Sequence, residues 1–299
     1  MSIIRYVTGK TKLLGVIGNP ISHSISPELH NTLSSYLGID AVYVPLKVDK
    51  ERLGDAVQGL KALNFKGFNI TIPYKNDVIK YVDEISTEAS FIGAVNTVKI
   101  IENKLYGYNT DVEGFVNSFK EEAGTGFTNK KVAIIGAGGA ARAIAIGVAY
   151  DRAKKITLIN RTLSKAIQIA DIIINNISPY EERTDDVESI QLNDSKCIDV
   201  LNQSDIIINT TSLGMYPDID CMPVPEYVEF KSNQIVYDVI YNPVKTKLLQ
   251  QAESKGCKII NGLGMLIYQG IKAYEIWMDM TVPGEIAREI FRKFQNYLT

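Results

Sequence analysis

The chain has 299 residues, 45% of them in the hydrophobic set and 22% charged, with a formal net charge of -2. That length suits two globular domains, and a near-neutral balance without a basic block gives no footing to nucleic acid or an anionic membrane. Cys197, Cys221 and Cys257 lie far apart and His23 and His30 are the only histidines, so neither a disulfide framework nor a His-rich metal centre is expected. Arg5 and Lys10 precede only a short apolar run and not a secretory leader. No segment approaches membrane-span length, and the expected compartment is the cytoplasm.

Leu13 to Gly18 reads as a buried strand ending in a turn at Asn19-Pro20. Ser26 as N-cap, Pro27 in the first turn and Glu28 behind it predict a helix to about Leu37. A strand over Ala41–Leu46, a helix over Lys50–Leu63 and a strand over Gly67–Ile72 follow, the last stopped by Pro73. Tyr74–Tyr81 reads as a helix, which puts Lys75 at its N-terminal end. Ala94–Ile101 and Lys104–Tyr108 read as a hairpin around Glu102-Asn103. This half is a βαβαβ unit with a ribbon.

Glu113–Glu122 reads as a helix, broken at Gly124-Thr125-Gly126. Lys131–Ile135 is an apolar strand of the parallel-sheet type, followed by a helix to Tyr150, a strand Lys155–Ile159 and a helix Leu163–Ile174. The polar stretch Asn175–Lys196 reads as an irregular surface excursion. Strands at Asp205–Asn209, Gln234–Val239 and Cys257–Ile260 complete the pattern. Helices are expected at Thr246–Lys255, from Met265 to Asp279, and from Pro283 to Phe294. The fold class is therefore α/β with two domains, an N-terminal mixed α/β substrate domain and a Rossmann-like, doubly wound cofactor domain, with chemistry expected between them.

Gly136, Gly138 and Ala141 form G-x-G-x-x-A directly between a strand and a helix, with Gly139 and Ala140 inside it. The first glycine permits a tight turn, the second lets backbone approach a pyrophosphate, and the small residue lets helix and sheet pack closely. An NAD site usually carries an acidic residue at the end of the next strand. Here that end is Asn160-Arg161-Thr162, with Lys165 just beyond. Arg161 offers a planar fork to a 2′-phosphate, Thr162 a hydroxyl that can cap the helix, and Lys165 a further charge, which favours NADP(H). The plainer reading of Arg161 is a solvated cation at a strand end.

Hydride transfer to a ketone needs a proton donor, and with so little histidine the candidates are lysine, aspartate and tyrosine. Lys75 and Asp111 suit the task as a pair. Lys75 could equally be a surface lysine in a first helical turn, and Asp111 an N-cap of the helix near Glu113. Ser22, Ser24, Asn69, Thr71, Asn96 and Thr110 add compact donors and acceptors at strand ends, and a buried Asn69 would have to find partners.

These motifs together resemble the shikimate dehydrogenase family over essentially the whole chain. Gly18-Asn19-Pro20-Ile21-Ser22-His23-Ser24-Ile25-Ser26-Pro27 looks like its substrate-carboxylate loop. Asn69-Ile70-Thr71-Ile72-Pro73-Tyr74-Lys75, Gly93-Ala94-Val95-Asn96-Thr97 and Asn109-Thr110-Asp111 look like its catalytic and hydroxyl-binding segments. Asn160-Arg161-Thr162 resembles the phosphate clamp, and Asn209-Thr210-Thr211-Ser212-Leu213-Gly214-Met215 the loop flanking the nicotinamide side. The resemblance implies reversible reduction of 3-dehydroshikimate to shikimate with NADPH, with Lys75 and Asp111 as acid/base pair. It implies Ser22, Ser24 and Tyr241 on the carboxylate, and Asn69, Asn96, Asp111 and Gln269 on ring hydroxyls with help from Thr71. It places Thr210, Gly262 and Met265 beside the nicotinamide.

The same resemblance implies a discontinuous substrate domain, 1–112 completed by C-terminal helices 265–299, around a cofactor domain 113–264. Family members are monomers or homodimers. Tyr74, Val112 and Lys165 depart from the commonest family pattern; the first two would alter packing, and Lys165 keeps charge but loses the fork of an arginine. The nearest rival reading is a quinate/shikimate dehydrogenase able to use NAD. A non-catalytic dinucleotide sensor or an interaction protein would need neither Lys75 nor Asp111.

Overall fold

The computed structural model describes residues 7–177, 186–225 and 227–298. The chain divides into two compact units, one of Met1–Thr110 with Gln269–Phe294, the other of Asp111–Tyr268 with Gln295–Thr299. The elements of the first unit begin with β1 (Lys12–Gly18), α1 (Ser26–Tyr36), β2 (Ala41–Lys47), α2 (Leu53–Ala62) and β3 (Gly67–Ile70). They continue with β4 (Glu84–Ile85), α3 (Thr87–Ile92), β5 (Thr97–Ile101) and β6 (Lys104–Tyr108). The strands form a six-stranded mixed sheet in the order β2-β1-β3-β5-β6-β4. β1 pairs parallel with both β2 and β3, and β3 pairs antiparallel with β5. Phe68, Ile17, Leu53, Val57 and Val98 are the heart of its core. Glu102 and Asn103 both take positive φ, 47° and 65°, as a two-residue hairpin turn requires.

The second unit holds α4 (Asp111–Ala123), β7 (Lys131–Ile135), α5 (Gly139–Tyr150), β8 (Lys155–Asn160), α6 (Leu163–Asn176) and β9 (Asp186–Gln191). Then come α7 (Lys196–Gln203), β10 (Ile206–Asn209), β11 (Ile235–Asp238), α8 (Lys247–Ser254) and β12 (Lys258–Ile260). Its sheet is parallel throughout, in the order β12-β11-β10-β7-β8-β9. Such a sheet is buried on both faces, which is why its central strands are runs of Ile, Val and Leu with no polar face. α9 (Leu263–Met278) passes from the second unit to the first, and α10 (Gly284–Leu298) ends the described chain. Within the first unit Trp277 lies on Gly67, where a Cβ would collide with the indole, and donates to the Val98 carbonyl at 2.9 Å.

Four expectations need correction. Lys75 is not on an α-helix. Tyr74 N–H closes a turn onto the Thr71 carbonyl, Lys75 and Asn76 continue the turn, and only a 3₁₀ segment, Asp77–Tyr81, follows. Pro73 steers Ile72 away from the helical region, and burying Tyr74 fixes the turn. The N-cap of α1 is Ile25, with no side-chain cap bond, and Ser26 is already helical. Thr162 occupies the N-cap of α6, but its hydroxyl makes no cap bond. The stretch Asn175–Lys196 is not irregular throughout, because 186–191 is an edge strand on β8; residues 178–185 lie outside the described residues.

Candidate active site

In the first unit the C-terminal ends of β1, β3 and β6 and the start of β5 share one sheet edge, since β1 and β3 are parallel and β5 runs against both neighbours. That edge carries Ser22, Ser24, Asn69, Thr71, Lys75, Asn96 and Thr110. Ser22 is exposed in a turn, and Ser24 is half-buried, its N–H bonded to the Ile21 carbonyl at 3.1 Å. This loop is tied to the segment after β3. Asn19 N–H donates to the Ile72 carbonyl at 3.2 Å, and a Cβ on Gly18 would strike the Thr71 methyl. Lys75 is half-buried, and its carbonyl accepts the Val95 N–H at 2.8 Å. The lysine turn is thereby fastened to the residue before Asn96.

Asn69 is buried, and its amide is engaged on both sides. Nδ2 donates to the Asn96 carbonyl and to Thr97 Oγ1, each at 3.0 Å, and Oδ1 accepts the Tyr43 hydroxyl at 2.7 Å. Asn96 is buried too. Its Oδ1 accepts from Thr110 N–H and from Thr97 Oγ1, both at 2.9 Å, and its Nδ2 donates to Thr110 Oγ1 at 3.1 Å. Thr110 Oγ1 also reaches Gln269 Oε1 at 3.4 Å, bringing α9 to the same cluster. Asn109 donates to the Ala94 carbonyl at 3.0 Å, so the chain is pinned on both residues before Asp111. Asp111 is itself the first residue of α4, half-buried, and not a cap two residues ahead of the helix. The structure thus brings Asn69, Asn96, Thr110 and Gln269 into one network.

In the second unit the chain leaves β7 toward β8 and β9 and returns on the other side as β10, so the switch point of the sheet lies between β7 and β10. Gly136 sits there with φ 109° and its N–H on the Ile159 carbonyl at 2.8 Å; a Cβ would run into Thr210 Oγ1. Thr210 is held by its own hydroxyl on the Ile135 carbonyl at 2.7 Å. Gly138 caps α5 with extended φ, and neither Gly138 nor Gly139 has any atom within 4 Å of where a Cβ would stand. Ala141 is fully buried, Ala140 half-buried, and α5 has no acidic residue in its first turn. Bare helix-start amides facing open space and unopposed by a carboxylate fit a dinucleotide pyrophosphate.

Asn160 Nδ2 donates to the Thr162 carbonyl at 2.8 Å, which shapes the strand end, and Arg161, Thr162 and Lys165 are exposed. Arg161 borders a cavity of about 580 Å³ lined also by Asn193, Asp194, Cys197 and Tyr227. Two neighbouring loops close the other side of the sheet edge. A Cβ on Gly262 would collide with the Val239 carbonyl, and Gly262 N–H donates to the Ile240 carbonyl at 3.2 Å. Tyr241, on the loop after β11, and Met265, in the first turn of α9, are half-buried, and burial raises the Tyr241 phenol above its ordinary pKa.

Sequence reasoning missed Asp238, which organises that region. It is wholly buried, and burial lifts its pKa to about 6. Oδ1 accepts from Asn209 Nδ2 at 2.9 Å and Ile240 N–H at 3.1 Å, and Oδ2 accepts the Thr246 hydroxyl at 2.7 Å. Asn209 in turn caps the Thr211 N–H at 3.0 Å. A lone carboxylate closing an apolar strand, Ile235-Val236-Tyr237-Asp238, is the signal that could have found it. Among the described residues no cluster could hold a metal ion, and no helix is long and apolar enough to cross a membrane.

A doubly wound parallel sheet with a glycine turn at its switch point, in a chain whose other sheet edge gathers amides and hydroxyls, defines a dinucleotide-dependent oxidoreductase. Residues 16–98 match the shikimate dehydrogenase substrate binding domain, residues 119–216 the shikimate / quinate 5-dehydrogenase family, and residues 262–290 the shikimate 5′-dehydrogenase C-terminal domain. The shikimate dehydrogenase (NADP(+)) of Alkaliphilus oremlandii is 46% identical over 277 residues, 93% of this chain and 95% of that one. Shikimate 5-dehydrogenase from Listeria monocytogenes, solved with shikimate and NAD, has a TM-score of 0.88 and 38% identity, covering 96% of this chain and 99% of that one. Quinate dehydrogenase from Corynebacterium glutamicum, solved with NAD, has a TM-score of 0.84 and 29% identity over 95% and 99% of the two chains. This chain belongs to the shikimate dehydrogenase family and is an oxidoreductase acting on a CH–OH group.

Proposed function

We propose that the protein catalyses the reversible reduction of 3-dehydroshikimate to shikimate with NADPH, in the cytoplasm. The observation that carries this reading is the joining of Asn69, Asn96, Thr110 and Gln269 in one network on the sheet edge that also bears the serine loop and Lys75. A small polyhydroxylated ring needs such a set of short, prearranged acceptors and donors.

The substrate-binding catalytic domain is 1–112 with 265–299, and the cofactor domain is 113–264. Ser22, Ser24 and Tyr241 hold the substrate carboxylate, and Asn69, Asn96, Asp111 and Gln269, with Thr71, hold ring hydroxyls. Asn69 narrows its own role. Both of its N–H groups are already donated, so it has only an oxygen lone pair left and accepts from a hydroxyl. It cannot donate to the ketone oxygen, and in this reading that work belongs to Lys75. In the ammonium form Lys75 gives its proton to the carbonyl oxygen as the alcohol forms, and recovers it in the reverse direction. Asp111 orients the ammonium and accepts from a neighbouring hydroxyl.

The backbone of Gly136, Gly138, Gly139, Ala140 and Ala141 would hold the cofactor pyrophosphate. Asn160, Arg161, Thr162 and Lys165 would hold its 2′-phosphate. Thr210, Gly262 and Met265 would line the nicotinamide side. Bound NADPH supplies the hydride. Arg161 where an NAD site has a carboxylate supports NADP(H) over NAD(H). A second reading, a quinate/shikimate dehydrogenase that uses NAD, is favoured by the NAD in two solved relatives. Initial rates with shikimate and with quinate, each with NADP⁺ and NAD⁺, separate the two. The primary reading expects shikimate with NADP⁺ to give the highest kcat/KM, and a higher value for quinate with NAD⁺ would overturn it.

A further inference from the structure

Tyr43 lies outside every motif read from the sequence, yet it is fixed at its backbone, its ring and its hydroxyl. It sits on β2, the edge strand of the first sheet, where Asn31 of α1 acts as a surrogate strand. Tyr43 N–H donates to Asn31 Oδ1 at 2.9 Å, and Asn31 Nδ2 donates to the Tyr43 carbonyl at 3.0 Å. The ring is fully buried and stacks on His30, with centroids 4.2 Å apart and planes at 17°. Trp277 tilts against the same ring at 6.0 Å. His30 is wholly buried, and burial pushes its pKa down to about 3, so it stacks as a neutral ring and sets no charge beside the amide.

On the oxygen side of the Asn69 amide the Tyr43 hydroxyl donates to Oδ1 at 2.7 Å. The Asn96 carbonyl can only accept, so the amide nitrogen must face it, and Oδ1 must face Tyr43. The phenol adds a second restraint from the opposite side, holding Oδ1 in place as well as the amide nitrogen. Ser26 also hydrogen-bonds the Tyr43 hydroxyl. Ser26 is the first residue of α1 and its N–H lies on Ser24 Oγ at 3.3 Å, so one phenol links the serine loop to the β3 amide.

We propose that Tyr43 is a positioning residue for substrate binding: its hydroxyl locks the Asn69 amide with one oxygen lone pair offered to a ring hydroxyl, and couples that amide to Ser26 and the serine loop. The inference rests on the reading above that Asn69 holds substrate. It requires that Tyr43 act through Asn69 and not through general packing.

A double-mutant cycle tests this, with Tyr43→Phe, Asn69→Ala and the double variant assayed for KM and kcat with shikimate and NADP⁺. Tyr43→Phe keeps the buried ring and removes only the hydroxyl. It is expected to raise the KM for shikimate about tenfold, with kcat within about twofold and the KM for NADP⁺ unchanged. Asn69→Ala is expected to raise the KM at least as far, and adding Tyr43→Phe to it should change nothing further, because the partner is gone. Multiplying increments, or a Tyr43→Phe enzyme with wild-type KM, would overturn the proposal while leaving the Asn69 reading intact. An Asn69→Ala enzyme with wild-type KM would overturn both. If Tyr43→Phe does not fold, Ser26→Ala takes its place in the cycle, with an expected rise of about threefold that vanishes in the Asn69→Ala background. A rise that persists there overturns the coupling.

Discussion

The two sheet edges that carry the candidate residues are built in opposite ways. The edge of the first unit is made of side chains that satisfy one another. Asn69, Asn96, Thr97 and Thr110 are buried and bonded before any ligand arrives, and Tyr43 orients the set. The edge of the second unit is made of backbone and of missing side chains. Gly138 and Gly139 face empty space, and the cations that follow β8 are exposed. Buried polar groups must be paired, so a side-chain site has to be complete in advance and its geometry is rigid. A backbone site needs only a turn of the right shape and an absence of Cβ atoms. Substitutions should therefore fail differently at the two edges.

The largest effect is expected at Lys75, the one group on the first edge assigned a proton to give. Lys75→Ala should lower kcat by roughly 10³-fold with the KM for shikimate within a few-fold, since general acid–base groups contribute about 10²–10⁴. Steady-state kinetics at neutral pH check this. Oxidation of shikimate at near wild-type rate would remove Lys75 from the chemistry and reopen the sensor reading.

On the second edge two glycines make a matched pair. Gly262→Ala places a methyl into the Val239 carbonyl, where backbone meets backbone and neither can yield. A loss of about 2–4 kcal/mol is expected in denaturant unfolding. Gly138→Ala meets nothing in the protein, so unfolding should stay within about 0.5 kcal/mol of wild type while the KM for NADP⁺ rises about tenfold. If both variants lost stability alike, the glycine turn would be structural and the open space at Gly138 would have no bearing on the cofactor.

Arg161→Ala tests the exposed side of the same edge. Removing a fork that pairs a phosphate should raise the KM for NADP⁺ by about 20-fold, close to 2 kcal/mol, and leave the KM for NAD⁺ within about twofold. Equal losses with both cofactors would make Arg161 a general contact and weaken the choice of NADP(H).

The same division governs what could be read in the sequence. The backbone edge was legible, because a strand, a glycine turn and a helix are contiguous, and Gly136 to Ala141 carry the whole pattern. The strands of the parallel sheet were legible as apolar runs for the same reason. The edge strand β9 was not. Only Ile190 of Asp186–Gln191 is buried, and the strand is drawn onto β8 in part by Lys155, which bridges Asp186 at 3.3 Å and Glu188 at 2.9 Å. Lys75 was found but misplaced, since Val78, Ile79 and Tyr81 are spaced as well for one 3₁₀ turn as for an α-helix. Tyr43 was missed because its hydroxyl meets a partner 26 residues away, and although a lone carboxylate at the end of an apolar strand marks Asp238, its tie to Asn209 spans 29 residues. Spacing along a chain holds no trace of such pairs.

The smallest expected effect lies where the two ways of building touch within the second unit, at Glu122. Its carboxylate is mostly buried, Oε1 has no hydrogen-bond partner among the described residues, and Gly264 leaves the space it fills. Burial raises its pKa to about 7, against which Lys258 acts weakly. Lys258 is itself drawn away, donating to the Ala123 carbonyl at 2.9 Å. In the unfolded chain the same carboxyl ionises near its ordinary value of 4.5. Below that pH both states carry the proton. As pH rises from about 4.5 to 7 the unfolded state releases its proton first, so stability falls through that window and is flat above it. Glu122→Gln keeps the shape and removes the titration. The variant should match wild type near pH 4.5 and exceed it by about 1–2 kcal/mol at pH 8, less than the full shift because solvent partly screens the carboxylate. Asp238, raised in the same direction, titrates in both proteins and cancels from the difference. Denaturant melts at the two pH values decide it. A gain independent of pH would mean that Gln packs better there and that Glu122 does not titrate in this window. A loss at pH 8 would mean that its ionised form is held by Lys258 after all.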